Sequence, residues 1–302
     1  MEQIPDDVLE YMRSHFRVCN ERVAEQLSLY PSAYEEHLDM SLIQYWAQRQ
    51  APIMFKSKWI IKADVNFMGG GRHYGAWEVA DIGVVLIFRR KGKVIRSKMA
   101  FLQCKKLYAS PLKLKDNRNE RFGYGMGNLL INEGEHQEII SKTLYKYSEA
   151  SKFEAFKVGS EQQAAMKAFQ TRYEMKMHYL FYNPLTIPYQ VTNPIDFTIS
   201  QHIQPNDVGC RVMRKDDVDE ALESYDKGYS PTYGDIKYML PNEYNNDHQA
   251  GWRLEYFIVD LMMGCKEGVI DDSPTFQTLA RFMNLKARPM NSSIAFTFDI
   301  ME

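Results

Sequence analysis

Three side chains with complementary chemistry stand at the ends of two apolar runs. Asp81 opens the run Asp81-Ile82-Gly83-Val84-Val85-Leu86-Ile87-Phe88, and Phe101-Leu102-Gln103-Cys104-Lys105 closes a second. Side chains alternate across a strand, so Phe101, Gln103 and Lys105 share one face. If the two runs pair as neighbouring strands, a carboxylate, an amide and an amine converge at one end of a sheet. Hard divalent cations such as Mg²⁺ or Mn²⁺ take oxygen ligands from carboxylates, carbonyls and water. Asp81 is then the central metal ligand. Gln103 offers its side-chain oxygen, and the Cys104 carbonyl adds another. Lys105 orients or deprotonates an attacking water, or stabilises charge in the transition state. Hydrolysis of a phosphodiester needs this set of groups. Taken singly, Asp81 reads as a turn residue and Lys105 as a solvent-facing lysine at a strand end. Their spacing is what joins them.

The elements that must position these residues can be read along the chain. Val8, Tyr11, Met12, Phe16, Cys19, Val23 and Leu27 recur at helical spacing and predict a helix over 7–28. Pro31 interrupts it. A second helix follows through Tyr34-Glu35-Glu36-His37-Leu38-Asp39, with Ser32 as its N-cap. Strands are expected at 58–67, from Asp81 to Phe88, and over 94–107. A glycine-rich turn, Gly69-Gly70-Gly71, precedes the second strand, and a tight hairpin at Lys91-Gly92 precedes the third. Residues 111–132, with Gly123, Gly125 and Gly127, read as a loop that lacks the Lys-Ser/Thr of a phosphate-binding P-loop. Helices at 136–149 and 159–176 come next, then a fourth strand over 177–182 stopped by Asn183-Pro184. Beyond Leu185 the prolines multiply. Helices are expected at 215–225, 250–264 and 273–284, with a last strand over 292–300.

The Asp81 and Gln103-Cys104-Lys105 pattern resembles the PD-(D/E)XK nuclease superfamily in its Gln-x-Lys variant, the kind found in restriction- and defence-type nucleases. That superfamily carries an acid on one strand and an acid-x-Lys triplet on the next. Here Gln103 stands where the usual triplet has an acid, which removes one negative charge. The resemblance covers Tyr34 to about Pro184. It implies an α/β (α+β) fold, a small mixed central sheet flanked by helices, with residues 1–184 as a restriction-endonuclease-like core. Residues 185–302 form a C-terminal extension or a second subdomain. Many members also carry an acid on the helix before the sheet. Glu35 and Asp39 are four apart and share a face, with Glu36 beside them; Glu35 is the matching metal ligand here and Glu36 the alternate, although acids near a helix N-terminus are favourable without any metal. The implied activity is Mg²⁺- or Mn²⁺-dependent cleavage of DNA in restriction or phage defence, with other subunits of a defence complex as further partners. The alternative is a catalytically weakened nuclease fold that binds DNA or serves as an assembly subunit.

Charge and composition agree with an ordinary globular chain. The net charge of −2 argues neither for nor against nucleic acid. Between Arg89 and Arg118, however, eleven lysines or arginines face a single acid, Asp116. This cluster brackets the Gln-x-Lys triplet. It reads as a phosphate-tracking surface, with Arg89, Arg90, Lys91, Lys93, Arg96, Lys98, Lys113 and Lys115 as DNA contacts. A solvated hairpin whose lysines protect an edge strand is the plainer reading. Arg72 and His73, in the loop before Asp81, are further phosphate contacts. Lys106 points to the face opposite Lys105 and is left out of the site. The four cysteines, Cys19, Cys104, Cys210 and Cys265, show no metal-ligand spacing and no disulfide framework. No apolar run is long enough to span a membrane, and the N-terminal residues lack a signal core, so a cytoplasmic location is expected.

Overall fold

The computed structural model describes residues 3–48, 51–67, 79–113, 143–193, 208–237, 251–271 and 290–301. The first helix, α1 (Asp6–Leu29), buries the stripe Val8, Met12, Phe16, Cys19, Val23 and Leu27. It ends because Pro31 disfavours helical geometry at the residue before it, and Tyr30 has left the helix at φ −127°. The second helix, α2 (Glu35–Ala47), starts later than the expected Ser32 cap. Its N-cap is Tyr34, whose side chain caps nothing, and Glu35 and Glu36 occupy the first turn. Acids at that position face the positive end of the helix dipole.

Strands β1 (Ile53–Met54), β2 (Trp59–Phe67), β3 (Ala80–Arg90) and β4 (Lys93–Lys106) follow. β3 and β4 form the expected antiparallel hairpin, with Ile82 opposite Leu102. Lys91 and Gly92 both have positive φ, 50° and 73°, as a two-residue turn between right-twisted strands requires. β3 is covered on both faces: Ile82, Val84, Val85 and Leu86 are all fully buried. This explains its near-continuous apolar run in place of alternation.

Two short strands, β5 (Ser110–Lys113) and β6 (Thr143–Tyr147), come next, then α3 (Glu161–Tyr173) and β7 (Met177–Tyr182). The hydroxyl of Ser160 caps α3 by accepting from the Gln163 amide. β7 lies parallel to β4, pairing Phe101 with Met177 through Lys106 with Tyr182. A crossover connection through α3 makes that arrangement possible. The helix expected over 136–149 is corrected: Thr143–Tyr147 is a strand, paired with β5 and with β8 (Tyr189–Asn193) in a separate three-stranded sheet. Its Thr and two Tyr residues favour the extended state.

The remaining elements are β9 (Arg211–Arg214), α4 (Lys215–Ala221), α5 (Tyr233–Lys237), β10 (Trp252–Arg253), the single turn α6 (Leu254–Tyr256), a π-helix over Phe257–Met263, β11 (Val269–Asp271) and β12 (Met290–Ile300). The fold is mixed α/β as expected, but its main sheet is large. Among the described residues nine strands belong to it, in the order β1-β2-β12-β3-β4-β7-β9-β10, with β11 alongside β4. The extra size comes from beyond residue 184. β12 inserts between β2, antiparallel, and β3, parallel, while β9 extends the sheet past β7. The residues after 184 thus add strands to the sheet of the first part. The glycine-rich stretches at 69–71 and 123–127, residues 136–142 and the helix expected at 273–284 lie outside the described residues. All four cysteines are free thiols. Among the described residues, no helix is long and apolar enough to cross a membrane.

Candidate functional site

The hairpin register carries Asp81 and Gln103 to one sheet end. One step beyond the Ile82–Leu102 pair, the Gln103 Nε2 donates to Asp81 Oδ2, and the Cys104 backbone N–H donates to the same oxygen at 2.7 Å. From β12, the Ser292 hydroxyl donates to the Asp81 carbonyl at 3.1 Å and braces the start of β3. α2 caps this sheet end. Glu35, its first residue, accepts from the Lys106 backbone N–H at 2.7 Å and pairs with the Lys105 ammonium at 3.4 Å. The Lys105 side chain is only 4% exposed, so its charge is held by protein carboxylates and not by water. The structure therefore brings Asp81, Gln103, Lys105 and Glu35 into one cluster. Glu36 is not part of it. One residue further along α2, it is turned about 100° away and is exposed.

Two groups of this cluster escaped the sequence reading, and a third, Asp39, was placed on the Glu35 face without being assigned to the site. Asp39 lies one helical turn after Glu35, and its Oδ1 accepts from the Tyr182 hydroxyl at 2.7 Å. Tyr182 ends β7, beside Lys106 of β4, and its hydroxyl also lies 3.4 Å from the Cys104 sulfur. The Cys104 thiol itself faces Asp39 and Asp81, and ligand atoms of these three residues lie within 4.8 Å of one another. The four-residue spacing of Glu35 and Asp39 was a usable signal for the second acid. Tyr182 and the Cys104 thiol had none: the first depends on the β4–β7 pairing and the second on α2 meeting the β3–β4 hairpin.

Lys106 is excluded from the cluster by its ammonium, as expected. It reaches the Pro31 carbonyl at 2.7 Å and the Ala33 carbonyl, and sits 4.6 Å from the Tyr108 ring centroid. It fastens the α1–α2 connection to β4, and burial pulls its pKa down to about 8.

The carboxylates are electrostatically uncomfortable. Burial pushes the Asp39 pKa up to about 7; hydrogen bonds from Cys104 and Tyr182 oppose this, and the Glu35 charge adds to it. Asp81 is driven well above the ordinary carboxylate range, first by burial and then by the Asp39 charge, with Lys105 pulling the other way. In the unfolded chain the Asp39 carboxyl ionises near pH 4. As pH rises from there to about 7, the unfolded chain loses a proton that the folded chain keeps, so stability falls; above about 7 the penalty is constant. Metal-free protein is therefore expected to lose roughly 2 kcal/mol between about pH 5 and about pH 8 relative to Asp39→Asn. Urea unfolding of both proteins in chelator checks this. Parallel pH profiles would remove the buried-carboxylate assignment.

The basic cluster is not assembled as expected. Lys98 is buried, donating to the Met262 carbonyl and, at 2.7 Å, to the Glu267 carbonyl. It braces the π-helix and the segment after it against β4, and its ammonium is committed to these two carbonyls. Arg96 points its Nη1 at the Cys265 sulfur, 3.8 Å away. Lys91 and Lys93 are exposed at the hairpin tip, with Arg89 and Arg90 half-buried beside them. That tip is the far end of the strands that begin at Asp81, roughly 30 Å away at about 3.3 Å per residue. The cluster thus brackets the triplet in sequence only. Lys113, exposed on β5, follows the site end of β4. Arg72, His73 and Lys115 lie outside the described residues.

No family model matches this chain, and neither a curated protein nor a solved structure was found to match it.

Proposed function

We propose that the protein is a metal-dependent nuclease that hydrolyses DNA phosphodiesters at the Asp81–Gln103–Lys105 cluster, and that it is a member of the PD-(D/E)XK superfamily. One observation carries this reading. Two neighbouring strands deliver an acid, an amide and a buried lysine to a single sheet end, where a preceding helix adds two more carboxylates. The succession of α2, the β3–β4 hairpin, α3 and a strand β7 parallel to β4 supports it, with β12 set between β2 and β3.

The donor set fits a divalent ion. Asp81, Asp39 and Glu35 offer carboxylate oxygens, and the Gln103 Oε1 is buried without a hydrogen-bond partner among the described residues. A buried acceptor left bare costs about 1–3 kcal/mol, and a cation would satisfy it. When bound, Mg²⁺ or Mn²⁺ supplies Lewis acidity toward a phosphoryl oxygen and acidifies water. The chain's own groups do the rest. Asp81 and Gln103 hold the reacting end of the sheet in register. Lys105, kept in place by Glu35, presents a donor to the attacking water or to the charge that develops on the phosphoryl oxygens. Burial of Lys105 strengthens that interaction, because less water screens it.

Supercoiled plasmid incubated with the full chain should be nicked or linearised with Mg²⁺ or Mn²⁺, remain intact in chelator, and remain intact with Asp81→Asn. Plasmid left whole under every metal condition would retire the enzymatic reading. A binding or assembly subunit is the second reading. It is favoured by the self-contained pairing of the cluster, since Asp81 already holds two protein donors and Lys105 is already paired. Such a subunit would retard DNA equally with metal and with chelator.

A further inference from the structure

Cys104 sits inside the triplet, yet neither catalysis nor simple packing accounts for its surroundings. A buried thiol usually behaves as a small apolar group. This one is completely buried, and its sulfur faces two carboxylates and a tyrosine hydroxyl. We propose that Asp39, Asp81 and Cys104 form a mixed thiolate–carboxylate metal site that takes a thiophilic divalent ion of the Zn²⁺ or Co²⁺ class in preference to Mg²⁺. This deepens the nuclease reading, on whose metal site it rests, by naming the ion that the site selects.

Three observations carry it. The first is proximity. The ligand atoms come from α2, β3 and β4 and lie within 4.8 Å of one another. Tetrahedral coordination with bonds of about 2.3 Å to sulfur and about 2.1 Å to oxygen needs separations of roughly 3.5 Å. Side-chain rotation covers that difference. The second is the Gln103 oxygen, which has no hydrogen-bond partner among the described residues. Gln103 is 2% exposed and its amide already touches Asp81, so a small turn of the amide offers Oε1 as a fourth donor. The third is the Tyr182 hydroxyl, which contacts both Asp39 and the Cys104 sulfur. Outer partners that orient two ligands at once are a regular feature of metal centres. Sulfur decides the selectivity. Mg²⁺ prefers an octahedral shell of oxygen and water, whereas thiolate favours Zn²⁺ and its neighbours.

The test uses the metal-free full chain with Co²⁺ and Zn²⁺ as probes. Co²⁺ should bind saturably with a thiolate-to-cobalt charge-transfer band in the near ultraviolet. Zn²⁺ should displace it, and a large excess of Mg²⁺ should not. Cys265→Ser should keep the band. Cys104→Ser should lose it and weaken Co²⁺ binding by at least about a hundredfold, more than loss of an outer partner costs. X-ray absorption at the zinc edge of the unmutated, Zn²⁺-loaded protein needs no variant to fold, and should show one sulfur at about 2.3 Å. A shell of oxygen or nitrogen alone, or a band that vanishes with Cys265→Ser, overturns the proposal. The two readings fail separately. Plasmid cutting with Mg²⁺ and no sulfur in the shell keeps the nuclease and removes the thiolate site. A sulfur-ligated ion in a chain that cuts nothing does the reverse.

Discussion

Lys105→Ala is expected to slow single-turnover plasmid cleavage by about a thousandfold while changing DNA retardation by no more than about threefold. The asymmetry follows from burial. An ammonium with a side chain 4% exposed and paired to Glu35 adds little to the field that attracts a phosphate backbone. Its contribution is felt where charge develops beside it, in the transition state. The exposed tip residues Lys91 and Lys93 should behave oppositely. Their replacement by Ser should flatten the salt dependence of binding if DNA runs along the β3–β4 hairpin, and leave the chemical step alone. Glu35 keeps its bond from the Lys106 backbone when Lys105 is shortened, so the fold should persist, and thermal unfolding verifies that. Full cutting by Lys105→Ala would take the lysine out of the mechanism.

The legible part of this structure is the part whose partners lie nearby in sequence. The β3–β4 hairpin was readable because a Lys-Gly turn and two apolar runs sit within thirty residues. α1, α3 and β7 announced themselves through periodicity and stop signals. Glu35 was readable from its place at the start of a helix and Asp39 from sharing its face four residues on; what the sequence did not show is that Asp39 joins the cluster. What failed was decided by distant chain. Lys98 looks solvated among basic neighbours, yet carbonyls more than 160 residues away enclose it. The Arg89–Lys93 cluster adjoins the triplet in sequence, but a strand is a rigid spacer, and the same register that unites Asp81 with Gln103 sends Arg90 to the far end. The thiol of Cys104 acquires its meaning only when α2 brings Asp39 and β7 brings Tyr182 alongside.

The reach of residues 290–300 gives the last and largest expected effect. A chain ending at residue 184 should not fold, although it contains every residue of the Asp81–Gln103–Lys105 cluster. β12 is an interior strand. It pairs with β2 from Ser292 to Ile300 and with β3 from Met290 to Ile300, so its removal leaves two strand edges open in the middle of the sheet. Its aromatic side chains are buried in the core on top of this pairing. Phe298 is fully buried and stacks on Phe88 with ring centroids 4.9 Å apart, and Phe296 meets Phe16 of α1 at 5.4 Å. Losing one buried phenylalanine side chain costs about 3–5 kcal/mol, a large share of the roughly 5–15 kcal/mol that stabilises a typical domain. Losing the strand removes both rings and both ladders. Circular dichroism and thermal unfolding should show residues 1–184 without a cooperative transition, and Phe298→Ala in the full chain with a transition markedly lowered. A sharp transition in 1–184 would mean that the first part folds as an independent domain and that β12 is an accessory to it.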